Sequence, residues 1–129
     1  MKRVTGIGGI FFKAKDPDKL REWYRKHLGI ESESWGGFAF QWRDDPQNAH
    51  GSTVWSIFPD DTKYFEPSQK PFMINFRVED LQRLLAQLRA EGVEVDSKSE
   101  ESEFGKFAWV VDPEGNRVEL REPPVPTKE

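Results

Sequence analysis

The chain has no cysteine among its 129 residues, which removes disulfides, thiolate metal ligands and cysteine nucleophiles together. Histidine is almost as scarce. His27 and His50 are the only two, so a metal centre built on imidazoles has little to draw on. No window approaches the roughly 20 apolar residues that cross a bilayer. The opening Met1-Lys2-Arg3-Val4-Thr5 lacks the apolar run of a secretory signal. No membrane partner is expected, and the cytoplasm is the expected compartment. Excess basic charge is missing too: 19 Lys and Arg against 23 Asp and Glu leave a net charge of -4, with the cations scattered. Without a basic stripe to meet phosphates, nucleic acid is not an expected partner.

Aromatic side chains are plentiful, with ten Phe and five Trp, and core filling is the plain use for most of them. More informative is that the sequence is written twice. Gly9-Ile10-Phe11-Phe12-Lys13-Ala14-Lys15-Asp16 is answered 64 positions later by Met73-Ile74-Asn75-Phe76-Arg77-Val78-Glu79-Asp80. Likewise Phe38-Ala39-Phe40-Gln41-Trp42, leading to Asp45-Pro46, is echoed by Phe107-Ala108-Trp109-Val110-Val111, leading to Asp112-Pro113. Equivalent strands in the same order, separated by loops of changed length, imply two copies of one supersecondary unit. One copy of about 60 residues has too little core to stand alone, so the two share one domain and leave a cleft at their seam.

Each copy opens with an alternating β-favouring run and continues into an amphipathic helix. Asp16 stands at an N-cap with Pro17 in the first helical position; Leu20, Trp23, Tyr24 and Leu28 then share a face, and Gly29 ends the helix. In the second copy Glu79 or Asp80 caps a helix with Leu81, Leu84, Leu85 and Leu88 inward, ending near Gly92. Strands are expected at 30–35, 38–43 and 52–58 in the first copy, and at 93–96, 104–111 and 117–122 in the second, whose last two are joined by the turn Asp112-Pro113-Glu114-Gly115-Asn116. The resulting organisation is a single α+β domain: a βαβββ module over about 5–58, a linker at 59–71 with Tyr64 and Phe65 packed on the body, a second βαβββ module over about 72–122, and a loose tail at 123–129.

This doubled unit, an Asp before each helix, and the stretch Asp112-Pro113-Glu114-Gly115-Asn116-Arg117-Val118-Glu119-Leu120 together resemble the vicinal oxygen chelate superfamily. That group includes glyoxalase I, extradiol dioxygenases, fosfomycin resistance enzymes and bleomycin resistance proteins. The resemblance implies mixed sheets curled around a central cavity, a homodimer, and four inward positions that commonly hold a divalent metal. Mapped through the repeat, those positions fall on Gly9, Met73, Trp55 and Glu119, and only Glu119 is a metal ligand. One carboxylate cannot hold a cation against water, so neither metal nor other cofactor is expected. His27, at the end of the first helix, and His50, in a polar loop, do not restore the set.

Strand alternation proposes a cavity wall. It puts Phe11, Trp55 and Met73 inward as apolar surface and Lys13, Asn75, Arg77, Arg117 and Glu119 as polar handles, with Arg121 sharing the parity of Glu119. Glu119 is either a general base, a ligand contact, or an ion pair holding the sheets in register. Two functions remain open. One is a binding protein of the bleomycin resistance kind that takes a small planar or cationic molecule. The other is a metal-independent or atypical metal-dependent lyase, isomerase or dioxygenase, with Glu119 as base and Arg77 or Lys13 stabilising an oxyanion.

Overall fold

A computed structural model describes residues 3–42 and 51–124. The strands are β1 (Val4–Ala14), β2 (Gly37–Gln41), β3 (Ser52–Pro59), β4 (Phe72–Val78), β5 (Glu94–Ser102), β6 (Gly105–Val111) and β7 (Arg117–Glu122); the helices are α1 (Pro17–Leu28) and α2 (Leu81–Ala90). One curled, open sheet holds all seven strands in the order β2-β3-β1-β4-β7-β6-β5. The two halves meet where β1 runs antiparallel to β4, and each half then adds a parallel neighbour, β3 beside β1 and β7 beside β4. The α+β class and the curled sheet agree with the expectation.

Local chemistry starts both helices. The Asp16 carboxylate accepts the Lys19 N–H at 3.1 Å, and Asp80 accepts the Arg83 N–H at the same distance. Gly29 closes α1 with φ of 71°, a left-handed turn that a residue with a Cβ adopts only at a cost. Asp112 organises the β6–β7 turn by accepting the N–H groups of Glu114 and Asn116, both at 2.9 Å.

The strand expected at 30–35 does not form. Backbone groups there close locally instead: the Ile30 N–H bonds the Tyr24 carbonyl, and Glu33 exchanges bonds with Gly36 and Gly37. Among the described residues the first half is therefore β-α-β-β, and the second β-α-β-β-β with β5 running on to Ser102. Arg43 at the end of its expected strand, the polar loop with His50, and tail residues 125–129 lie outside the described residues.

Apolar side chains collect on both faces of the sheet. Between sheet and α2 lie Val78, Leu81, Leu84, Leu85, Ala108, Val110 and Leu120, all buried. A second cluster, Phe11, Phe65, Met73 and Trp109, packs on the concave face; Phe65 comes from the segment joining β3 to β4. That segment thus closes one end of the sheet's hollow.

Candidate functional site

The concave face holds a cavity of about 480 Å³ lined by Gly8, Phe11, Trp35, Ala39, Ser52, Val54, Asn75, Phe104, Phe107, Glu119 and Arg121. Glu119, at 2 % exposure, is its most deeply set charge. Three neutral donors surround that carboxylate: Tyr64 Oη reaches Oε2 at 2.5 Å, Trp109 Nε1 reaches Oε2 at 2.9 Å, and Asn75 Nδ2 reaches Oε1 at 2.6 Å. Topology explains the convergence. Asn75 and Trp109 are the register partners of Glu119 on the strands either side, so all three side chains leave the same face. Tyr64 arrives from the β3–β4 segment.

A buried carboxylate with no cation beside it is expensive unless donors replace its water, and these three do so. Tyr64 answers electrostatically: burial first, then the Glu119 charge and hydrogen bond, raises its phenol far above the usual value, so it remains a donor. Because Asn75 Nδ2 must face the carboxylate, Asn75 Oδ1 is left buried without a partner. Gly8 provides the room for it, since a Cβ at that position would collide with Oδ1. Among the described residues neither Lys nor Arg forms an ion pair with Glu119.

Of the residues proposed from strand alternation, Phe11, Asn75, Glu119 and Arg121 line the cavity. Trp55 does not. Its ring packs against Tyr24 at 4.9 Å and Phe12 at 6.0 Å, on the α1 side of the sheet. The cause is a one-residue slip: β3 pairs Val54 with Gly9 and Trp55 with Ile10, so Val54 faces the cavity and Trp55 faces away. The position matching Glu119 is Ser56, opposite Phe11 as Glu119 is opposite Asn75.

Other handles also lie elsewhere. Met73 is wholly buried in the concave-face cluster. Lys13 points to the Phe65 ring, 5.4 Å from its centroid, and lines a separate surface hollow with Lys15, Lys19 and Trp23. Arg117 is a brace: it lies 4.6 Å from the Trp109 ring centroid, donates to the Tyr64 carbonyl, and meets Asp96 at 3.4 Å. Arg77 stacks 5.8 Å from the Trp42 ring centroid, outside the lining residues but beside Arg121 in register. His27 packs against Trp23 at 5.0 Å on α1.

Sequence reasoning missed Tyr64, Trp109, Trp35, Val54 and Phe104. Trp109 was within reach, because cross-strand pairing with Glu119 follows once the β6–β7 turn is fixed at Asp112–Asn116. Tyr64 offered only the weak signal of an aromatic pair in a polar, proline-rich linker.

Comparison with known proteins places this geometry. The model of the glyoxalase-like domain matches residues 9–121. The chain belongs to the glyoxalase-like domain family. Its fold is that of the vicinal oxygen chelate superfamily. Among solved structures it is similar to methylmalonyl-CoA epimerase from Mycobacterium tuberculosis, at 20 % identity and a TM-score of 0.63, over 97 % of this chain and 92 % of that one. A Streptomyces coelicolor methylmalonyl-CoA epimerase variant in complex with 2-nitronate-propionyl-CoA aligns with a TM-score of 0.67 at 18 % identity, covering 98 % of this chain and 99 % of the other. A structure described as NAD-dependent benzaldehyde dehydrogenase from Legionella pneumophila aligns at 16 % identity and a TM-score of 0.59, over 90 % of this chain and 98 % of that one. No curated protein sequence matches. At these identities the likeness is one of fold.

The superfamily's divalent metal does not fit the residues present. With the register observed, its four positions carry Gly9, Met73, Ser56 and Glu119, and the Glu119 oxygens are already engaged by protein donors. Among the described residues no group of three or more His, Asp or Glu is placed to hold an ion.

Proposed function

We propose that this glyoxalase-like chain binds a small organic molecule in the cavity between its halves and does so without the superfamily metal. The observation that carries the reading is the pairing of an open, mainly apolar hollow of about 480 Å³ with a buried carboxylate whose hydrogen bonds are made within the protein. A hollow of this size suits a ligand of modest size, held by apolar contact and oriented by a few polar groups. Native mass spectrometry of freshly purified protein tests it, by the retained mass of a ligand. Elemental analysis giving one zinc, nickel, iron or manganese per subunit, lost in Glu119→Ala, overturns the metal-free reading.

A second reading, catalysis of a lyase or isomerase type, is favoured by the Glu119 carboxylate in the cavity wall. A carboxylate set in that wall can take a proton from a bound molecule, while the Tyr64 hydroxyl stays a donor to it. Glu119→Gln preserves the shape and removes the base. Turnover of a ligand recovered from the protein should then fall about 10²-fold or more with affinity little changed. Loss of affinity with no turnover in either protein leaves the binding function.

We further propose a homodimer. Ile10 and Phe72 on the α1 side of the sheet, with Trp23 and Leu28 on α1, are exposed apolar surface that a second copy would bury. Sedimentation equilibrium showing only the 15.0 kDa monomer at micromolar concentration would refute it.

A further inference from the structure

The two ends of the cavity differ in charge. On one face β4 carries Met73, Asn75 and Arg77, β7 carries Arg117, Glu119 and Arg121, and the parallel register sets Asn75 beside Glu119 and Arg77 beside Arg121. At the first end Met73 and Arg117 are buried under the β3–β4 segment. In the middle stands Glu119, already supplied with donors. The far end carries two guanidinium groups side by side, and among the described residues no carboxylate lies within ion-pairing distance of either.

Arg121 is held in place. Its Nε donates to the Phe104 carbonyl at 2.9 Å, and its guanidinium sits 6.0 Å from the Phe107 ring centroid. Among the described residues neither Nη nitrogen has a protein acceptor, so that edge of the fork remains for a ligand. Burial first, and repulsion from Arg77 second, hold Arg121 below the ordinary arginine value. The attraction of a bound anion opposes both effects. Two large rings also line the cavity while standing in water: Trp35 is 50 % exposed and Phe104 65 %. Rings of this kind beside a positioned guanidinium gain most from a flat ligand that covers them.

Given the binding function proposed above, on which this rests, we infer that the ligand is an amphipathic organic anion. Its flat apolar body lies against Val54, Phe107, Trp35 and Phe104, and its carboxylate takes the open Nη edge of Arg121, pointing away from Glu119. A guanidinium edge and a carboxylate match as two parallel hydrogen bonds, which a neutral amide cannot reproduce and an ammonium opposes. The planar or cationic ligand anticipated from the sequence is thereby narrowed to the planar, anionic kind.

Isothermal titration with 2-naphthoate, 2-naphthamide and 2-naphthylmethylammonium holds the ring constant and varies the charge. Naphthoate should bind about tenfold or more tightly than naphthamide, the scale of a hydrogen bond to a charged group, and the ammonium most weakly. Arg121→Gln should remove the advantage of naphthoate and Arg121→Lys retain part of it, whereas Trp35→Ala should weaken all compounds by similar factors. Equal affinities for naphthoate and naphthamide in the unaltered protein overturn the inference, as does an advantage that survives Arg121→Gln or no naphthoate binding at all. The ratio in the unaltered protein decides even if Arg121→Gln fails to fold. Ala39→Trp, which fills the cavity, separates this failure from failure of the binding function. Naphthamide binding that persists in it places the compounds outside the cavity and overturns both, while binding abolished in it with no advantage for the anion overturns only the anion.

Discussion

Helices α1 and α2 are built to one plan and end in different surroundings. Each begins at an aspartate that accepts an N–H three residues on at 3.1 Å, and each carries its apolar residues along one face. Yet Leu81, Leu84 and Leu85 of α2 are all buried, whereas α1 has no buried residue at all. On α2 small aliphatic side chains interlock with Ala108, Val110 and Leu120 of the sheet. Against α1 the sheet offers Phe12 and Trp55, whose rings both meet Tyr24 edge-on and leave Trp23 and Leu28 outside. Pattern and cap therefore fix that a helix forms and which way it turns, and the size of the opposing side chains fixes whether it is sealed.

The difference should be largest in the helix cores. Leu84→Ala opens a cavity in a closed cluster and should cost about 2–5 kcal/mol, while the corresponding Leu20→Ala, at a half-buried site, should cost about 1–2 kcal/mol. Urea unfolding of both variants checks this. Equal losses would mean that α1 is as well sealed in solution as α2.

Second in size is the contrast between the positions that the register makes equivalent, Glu119 and Ser56. Glu119→Gln presents an N–H to one of the groups that now donate to the carboxylate, so one buried donor loses its acceptor at about 1–3 kcal/mol. Ser56→Ala should cost under about 1 kcal/mol, and thermal unfolding of the two proteins measures both. A harmless Glu119→Gln would show that the three donors do not depend on a charge.

How much of this was in the sequence divides along the same line. Features closed by neighbours in the chain were readable: the caps at Asp16 and Asp80, the Gly29 stop, the Asp112–Asn116 turn, and the repeat that gave the α+β fold. Features that depend on how far a loop carries the chain were not. Trp55 follows from the repeat only across a loop of changed length, and an error of one residue turns a strand's whole side-chain set to the other face. Residues 30–35 alternate like a strand, but no ladder partner reaches them, and their backbone is satisfied by Tyr24 and Gly37. Around Glu119 the carboxylate itself stood out as the sole survivor of four positions; its donor Tyr64 depends on the path of a proline-rich segment that no local rule dictates.

Acid should act mainly on the second half. Asp112 is held below the usual carboxylate value by the Asn116 side chain and the turn's N–H groups, and Asp96 chiefly by the Lys98 N–H with help from Arg117. A depressed folded value means that the unfolded chain binds protons first as pH falls. The stabilisation is present above the ordinary aspartate value of about 3.9 and is lost below it. Asp112→Asn should flatten the fall in thermal midpoint between about pH 5 and pH 2. An unchanged slope would assign the acid sensitivity to other carboxylates.

The smallest expected effect carries the most about assembly. Leu28 ends α1 at 61 % exposure, beside no buried cluster, and alanine is the better helix former. In an isolated subunit Leu28→Ala should change stability by no more than about 0.5 kcal/mol in either direction. If a second copy covers α1, the same change removes apolar area from the interface, and the loss depends on protein concentration because association and folding are then linked. Thermal midpoints of the parent and the variant across a hundredfold range of concentration separate the cases. Parallel curves leave α1 facing water, and curves that diverge on dilution put a partner over the one helix that the sheet does not seal.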